Sequence, residues 1–288
     1  MIVAVASGKG GTGKTTVAAS LTAVWDRPLV AVDLDVEEPN LHLFLRPELE
    51  EAEEVGLEVP VADESRCTFC RACADLCQYK AIAVLGDHLL TFPEMCHGCG
   101  GCLAVCPEGA LSPGSRVLGV LEQGRCGPAR FLTGRLRVGE AMSPPLMRAV
   151  KARLDRMLEA APADAILDAP PGVSCPAMNA VLDSDVILLV TEPTPFGFYD
   201  FTLAHRAFAP LGKPLGVVVN RAGIGDDSVQ GYCRKHDLPV LAEIPYSRAV
   251  AEAYARGRVV AALGPEQAGL FAGLRDSLRR LRQEAVHA

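Results

Sequence analysis

Eight of the eleven cysteines fall into two runs of identical spacing: Cys67, Cys70, Cys73 and Cys77, then Cys96, Cys99, Cys102 and Cys106. The pattern C-x2-C-x2-C-x3-C puts three thiols in one tight loop and a fourth a short step beyond. Thiolates so spaced hold iron-sulfur clusters, with the fourth cysteine of each run serving the other cluster. That crossing gives one [4Fe-4S] cluster to Cys67, Cys70, Cys73 and Cys106, and a second to Cys77, Cys96, Cys99 and Cys102. Pro107 follows the second run, whereas Gln78 follows the first, a departure that affects the turn more than the ligands. Structural zinc also takes four thiolates, but it asks for paired C-x2-C knuckles. Such clusters usually move electrons. A structural role is the competing reading, because clusters can stand in for the core of a domain too small to have one.

A second constellation lies at the amino end. SGKGGTGKTT fits G-x-x-x-x-G-K-[ST] from Gly8 to Thr15. In this loop Gly8, Gly10, Gly11, Thr12 and Gly13 let backbone N–H groups curl around phosphates, and Lys14 reaches the outer phosphates. The Thr15 hydroxyl ligates Mg2+, with Thr16 beside it at the helix start. The chemistry is binding of ATP or GTP. Lys9, a second lysine inside the loop, is not required for holding phosphates.

These residues need elements to position them. IVAVAS (residues 2–7) is an apolar run before the loop, and residues 15–25 carry apolar side chains at helical spacing. Further apolar runs at residues 28–35, 163–171, 184–193, 214–221 and 238–245 read as parallel strands buried on both faces. Helical patterns lie between them at 145–160, 176–182, 197–209 and 226–236. The expected fold class is α/β, a doubly wound and mostly parallel sheet. Strand signal fades between Glu48 and Pro113, where the cysteines concentrate. The expected division is therefore a nucleotide-binding domain at 1–60 and 113–288, and a small inserted α+β domain at 61–112, with AIAVLGDHLLTF as a hairpin between the cysteine runs.

The bulk numbers set limits. The chain has 288 residues, 49% of them hydrophobic, enough for one large core and a small domain. A formal charge of -7 argues against a dedicated nucleic-acid surface. No run approaches a membrane span or a secretory signal, so a cytoplasmic protein is expected, and there the thiols stay reduced.

Taken together, the loop with its two lysines resembles the deviant P-loop ATPases, the group of MinD, ParA, the Mrp-type carriers and the nitrogenase iron protein. The cysteine runs resemble a bacterial-type ferredoxin with two [4Fe-4S] clusters. Nearly the whole chain is similar to MinD-superfamily ATPases that carry such an inserted domain. The resemblance implies that Lys9 reaches the nucleotide of a partner subunit, so that ATP sits at the interface of a homodimer. It implies that Asp35 activates the attacking water, that Asp168 holds Mg2+ through water and that Asn220 recognises adenine. Asp33 is left as structural or near the metal. Segments 133–151 and 191–201 look like family segments without assignable chemistry. The C-P-x-C motif of the Mrp-type carriers is absent.

Two features stay open. LFAGLRDSLRRLRQE near the carboxyl end sets Leu270, Leu274, Leu278 and Leu281 on one stripe, which either packs on the domain or binds membrane as in MinD; packing is favoured. Cys175 lies seven residues after Asp168. The nitrogenase iron protein has a cluster-ligating cysteine at that offset, but its second ligand falls in a segment that here offers Glu140. Cys175 is thus a plain switch-loop thiol or, with fewer ligands, a bridging one. The expected function is ATP binding and hydrolysis that switches a dimer, coupled to electron transfer with a protein redox partner. The alternatives are a positioning or assembly ATPase with redox-sensing clusters, and a cluster scaffold or carrier.

Overall fold

The computed structural model describes residues 1–287, with side chains for residues 1–286. In chain order, β1 (Ile2–Ala6) runs through the glycine loop into α1 (Lys14–Val24), and β2 (Leu29–Asp33) leads to the short α2 (Leu41–Leu45). β3 (Glu48–Ala62) leaves the body for a small unit of α3 (Ala72–Leu76), β4 (Ile82–Leu85), β5 (His88–Thr91) and α4 (Gly101–Val105). β6 (Leu111–Cys126) returns from it. Then follow β7 (Ala129–Leu136), α5 (Ser143–Ala160), β8 (Asp164–Asp168), α6 (Cys175–Leu182), β9 (Val186–Thr191) and α7 (Pro195–Phe208). β10 (Leu215–Ala222), α8 (Ser228–Lys235), β11 (Val240–Pro245), α9 (Arg248–Ala255) and α10 (Pro265–His287) complete the chain.

One nine-stranded sheet has the order β11-β10-β9-β1-β8-β2-β7-β6-β3, and β4 and β5 form a separate hairpin. From β11 to β7 all neighbours are parallel, whereas β7, β6 and β3 pair antiparallel. Parallel strands need helical crossovers, which cover both faces and demand apolar side chains on each. Accordingly Val3, Val5 and Ala31 pack under α1, α2 and α10, while Ala4, Ala6, Val30 and Val32 pack under α5, α6, α7 and α8. The stripe on α10 joins the first of these cores: Phe271, Leu274 and Leu278 are buried, with Leu270 and Leu281 against them. No helix among the described residues is long and apolar enough to cross a membrane.

The expected fading of strand signal from Glu48 to Pro113 is corrected at both ends. β3 covers 15 residues and β6 covers 16, and with β7 they extend the main sheet antiparallel. β3 is the outer strand, with exposed Glu48, Glu50, Glu51, Glu53 and Glu54. Glutamate is depleted in strands, so register and pairing with β6, not residue preference, hold this segment extended. Cys126 ends β6 half-buried, and burial pushes its thiol up to about 11. Cys233 is buried on α8 as a packing residue, its thiol likewise raised to about 11.

Candidate functional site

The carboxyl ends of the central strands meet the glycine loop. Gly13 precedes α1 at φ +93, a left-handed conformation that disfavours any side chain, and a Cβ there would overlap the Asn220 amide. Asn220, at the end of β10, donates from Nδ2 to Thr12 O at 2.7 Å and so closes the loop from the opposite side. The Thr12 hydroxyl is buried without a protein partner. A second strand end is tied in by Gly172 N donating to Ser7 O at 2.9 Å.

Lys14 folds back into the site, where Nζ donates to Asp168 Oδ1 at 2.8 Å. Both side chains are buried. Burial alone would lower the Lys14 ammonium pKa, but the charges of Asp168, Asp35 and Asp33 raise it above the ordinary value. Asp33 accepts from Leu41 N at 2.8 Å and from Asp35 N at 3.1 Å, so it shapes the turn carrying Asp35. Burial, with the charge of Asp168, raises the Asp33 carboxyl well above the carboxylate range. Asp35 is half-buried and pushed up to about 6, first by burial and then by Asp168 against the attraction of Lys14. Three carboxyl groups thus cluster around one ammonium beside the glycine loop.

Asp35, Glu37 and Glu38 form one wall of a cavity whose other walls are Pro170, Pro171, Ser174 and the start of α5. A separate cavity beside Asn220 is lined by Gly11, Gly13, Thr16, Tyr246, Val250, Tyr254 and Phe271, apolar walls that suit a nucleoside base. Tyr246 and Tyr254 carried no signal in the sequence, because they follow an edge strand with no motif around them.

The eight patterned cysteines line two further cavities. Cys67, Cys70, Cys73 and Cys106 surround one, and Cys77, Cys96, Cys99 and Cys102 the other. One cysteine from the far run enters each set. Backbone N–H groups point at sulfur from Phe69 to Cys67 (3.4 Å), Ala81 to Cys77 (3.3 Å), Gly98 to Cys96 (3.4 Å) and Ala110 to Cys106 (3.2 Å). Such bonds favour the thiolate. Burial, with the proximity of Cys106 and Cys67, raises the Cys73 thiol, and burial with Cys96 and Cys99 raises Cys102. The thiols ring their cavities rather than converge: among the described residues no three Cys, His, Asp or Glu side chains close on a single-ion site. Only a small apolar core, including Ile82, Val84, Leu89 and Leu111, supports this unit.

Cys175 is exposed at the first position of α6. Glu140 is not poised as a ligand near it: its side chain is buried against the Arg116 guanidinium, and its Oε1 accepts from Ala141 N and Met142 N at 3.0 Å. Arg116 Nη1 also donates to Glu94 Oε2 at 3.1 Å, just ahead of Cys96.

A doubly wound sheet with a glycine loop at the carboxyl end of its central strand defines a P-loop nucleotide-binding protein. The chain belongs to the CbiA family, the CobQ/CobB/MinD/ParA nucleotide binding domain, whose model matches residues 3–260. It is 31% identical over 261 residues to protein MJ0579 of Methanocaldococcus jannaschii, covering 89% of this chain and 90% of that one. Among solved structures it is similar to the cell division ATPase MinD of Pyrococcus furiosus, at 22% identity and TM-score 0.59, covering 97% of this chain and 98% of that one. The septum site-determining protein MinD of Pyrococcus horikoshii, complexed with Mg-ADP, is 21% identical with TM-score 0.59, covering 99% and 98%. The fold is therefore that of the MinD/ParA-like ATPases.

Proposed function

We propose that this chain is a cytoplasmic ATPase in which nucleotide-dependent pairing of two copies is coupled to electron transfer through two [4Fe-4S] clusters. The observation that carries the redox half is the crossing of the cysteines into two four-thiol cavities. Four soft donors per cavity, backed by N–H groups aimed at sulfur, fit cubane clusters better than hard cations. When bound, the clusters supply one-electron chemistry. The chain's own part is to hold four thiolates apart, donate hydrogen bonds to sulfur and set solvent access, each of which tunes potential.

On the nucleotide side, Lys14 leaves Asp168 for the phosphates, and Thr15 and Asp168 are then free to hold Mg2+. Asp35 orients the attacking water, Asn220 reads the base and Lys9 serves the partner's nucleotide. The two halves are joined by contact. Asp35 shares a cavity with Ser143 and Met147 of α5, the entry to α5 is fixed by Glu140, and Glu140 and Glu94 meet at Arg116. Anaerobic iron analysis with voltammetry tests the proposal. About eight irons per chain and a cluster potential that differs between ATP, ADP and no nucleotide are expected; equal potentials in all three states would sink the coupling.

A second reading, a positioning or assembly ATPase with redox-sensing clusters, is favoured by the fold likeness to MinD. It predicts ATP-dependent capture of a protein partner that changes with cluster oxidation while no net electron is passed on.

A further inference from the structure

Lys9 does not project into solvent. Its Nζ lies 2.7 Å from Glu192 Oε1. Glu192 follows β9 and is 5% exposed. Thr194 Oγ1 donates to the same Oε1 at 3.2 Å, and the Arg221 guanidinium pairs with Oε2. Burial would push this carboxyl up, but the Lys9 hydrogen bond and charge, with the charge of Arg221, hold it below the ordinary value. An ionised carboxylate is thus sunk between two cations, one from the glycine loop and one from the residue after Asn220.

A lysine held by Glu192 in its own chain cannot at the same moment serve a nucleotide in another. We propose that Glu192 is the positioning residue for Lys9: it keeps the lysine in cis in the unpaired chain and yields it in trans when two nucleotide-loaded copies meet. This rests on the reading of Lys9 as the residue that acts across the dimer. The exchange is feasible because Glu192 keeps Arg221 and Thr194 when Lys9 departs. A buried carboxylate left with no partner would oppose the release; one left with a guanidinium does not. The lysine stem is flexible, and its side chain is 29% exposed, so it can swing without unpacking the loop. Each copy gives up one such contact on pairing, so the contact acts twice on the dimerisation equilibrium.

The test is a double-mutant cycle read by sedimentation, using Mg2+ and a non-hydrolysable ATP analogue with the holoprotein. Weakening one charge-assisted hydrogen bond by Glu192→Gln is worth a factor of about 5 per subunit, so the dimer dissociation constant should fall about 25-fold. Glu192→Asp keeps the negative charge but draws the carboxylate back from Lys9, and should move the constant in the same direction even if the glutamine variant folds poorly. In a Lys9→Ala background both changes should have no effect on dimerisation. An unchanged constant in both Glu192 variants, or a shift that persists without Lys9, overturns the assignment. If Lys9→Ala alone pairs and hydrolyses ATP as the unaltered protein does, the trans role of Lys9 fails first and takes the Glu192 assignment with it. That result is distinct from a defective Lys9→Ala protein in which Glu192 is indifferent.

Discussion

Asp35, proposed to orient the attacking water, sits at a cost. Its carboxyl titrates near 6 in the folded chain against 3.8 unperturbed, because burial and Asp168 disfavour its charge. Between those values the folded chain binds more protons than the unfolded one, so this group's contribution to stability is lost as pH rises through about 6. Asp35→Asn carries no charge at any pH. The nucleotide-free variant should exceed the unaltered protein in unfolding free energy, by about 1–2 kcal/mol more near pH 8 than near pH 5, with hydrolysis lost. Calorimetry at the two pH values, with a phosphate-release assay, checks both. Glu192 was illegible at this scale. A single glutamate after an apolar strand has no motif, and only the fold brings it to Lys9 and Arg221. The glycine loop was legible because each position answers one demand of a phosphate.

The two cysteine turns are one local structure built twice. In the second, Gly98, Gly100 and Gly109 take φ of +66, +68 and +55, while their counterparts Phe69, Arg71 and Lys80 take +54, +68 and +55. A side chain in this region costs about 1 kcal/mol. Phe69 recovers it by packing in the small core of this unit, and Arg71 by donating to Val84 O at 3.3 Å. Lys80 is exposed. Lys80→Gly should therefore stabilise the unit by about 0.5–1 kcal/mol after the added chain entropy, seen as slower iron release under chelator. Lys80→Ala should not. The same physics explains what the sequence disclosed of the elements. Strands buried on both faces read as unbroken apolar runs, as at β1, β2, β8, β9 and β10. β3 and the outer half of β6 are solvated, and β3 is crowded with glutamate, so neither alternation nor propensity announced them.

For the whole molecule, the cysteine unit is joined to the nucleotide-binding body by the β3–β6 ladder and by a charge cluster centred on the buried Arg116. Arg116 pairs with Glu140 on the body side and Glu94 on the cysteine side, and Arg137 also donates to Glu94 at 3.2 Å. Arg116→Met leaves buried Glu140 with only Arg137, at 4.0 Å, as a cation and should cost about 2 kcal/mol. Hydrogen exchange should rise first at residues 93–106 and at the entry to α5; uniform loosening of the whole chain would refute a local hinge. The ladder has one more consequence, at its outer margin. β3 leaves a row of backbone N–H and C=O groups open to another strand, as any outer strand does, and an apolar β3 would be a template for end-on growth of the sheet. Its exposed glutamates bring like charges together whenever two copies approach along that side. Polymerisation through this margin of the sheet is thus discouraged by the same residues that hid the strand from view.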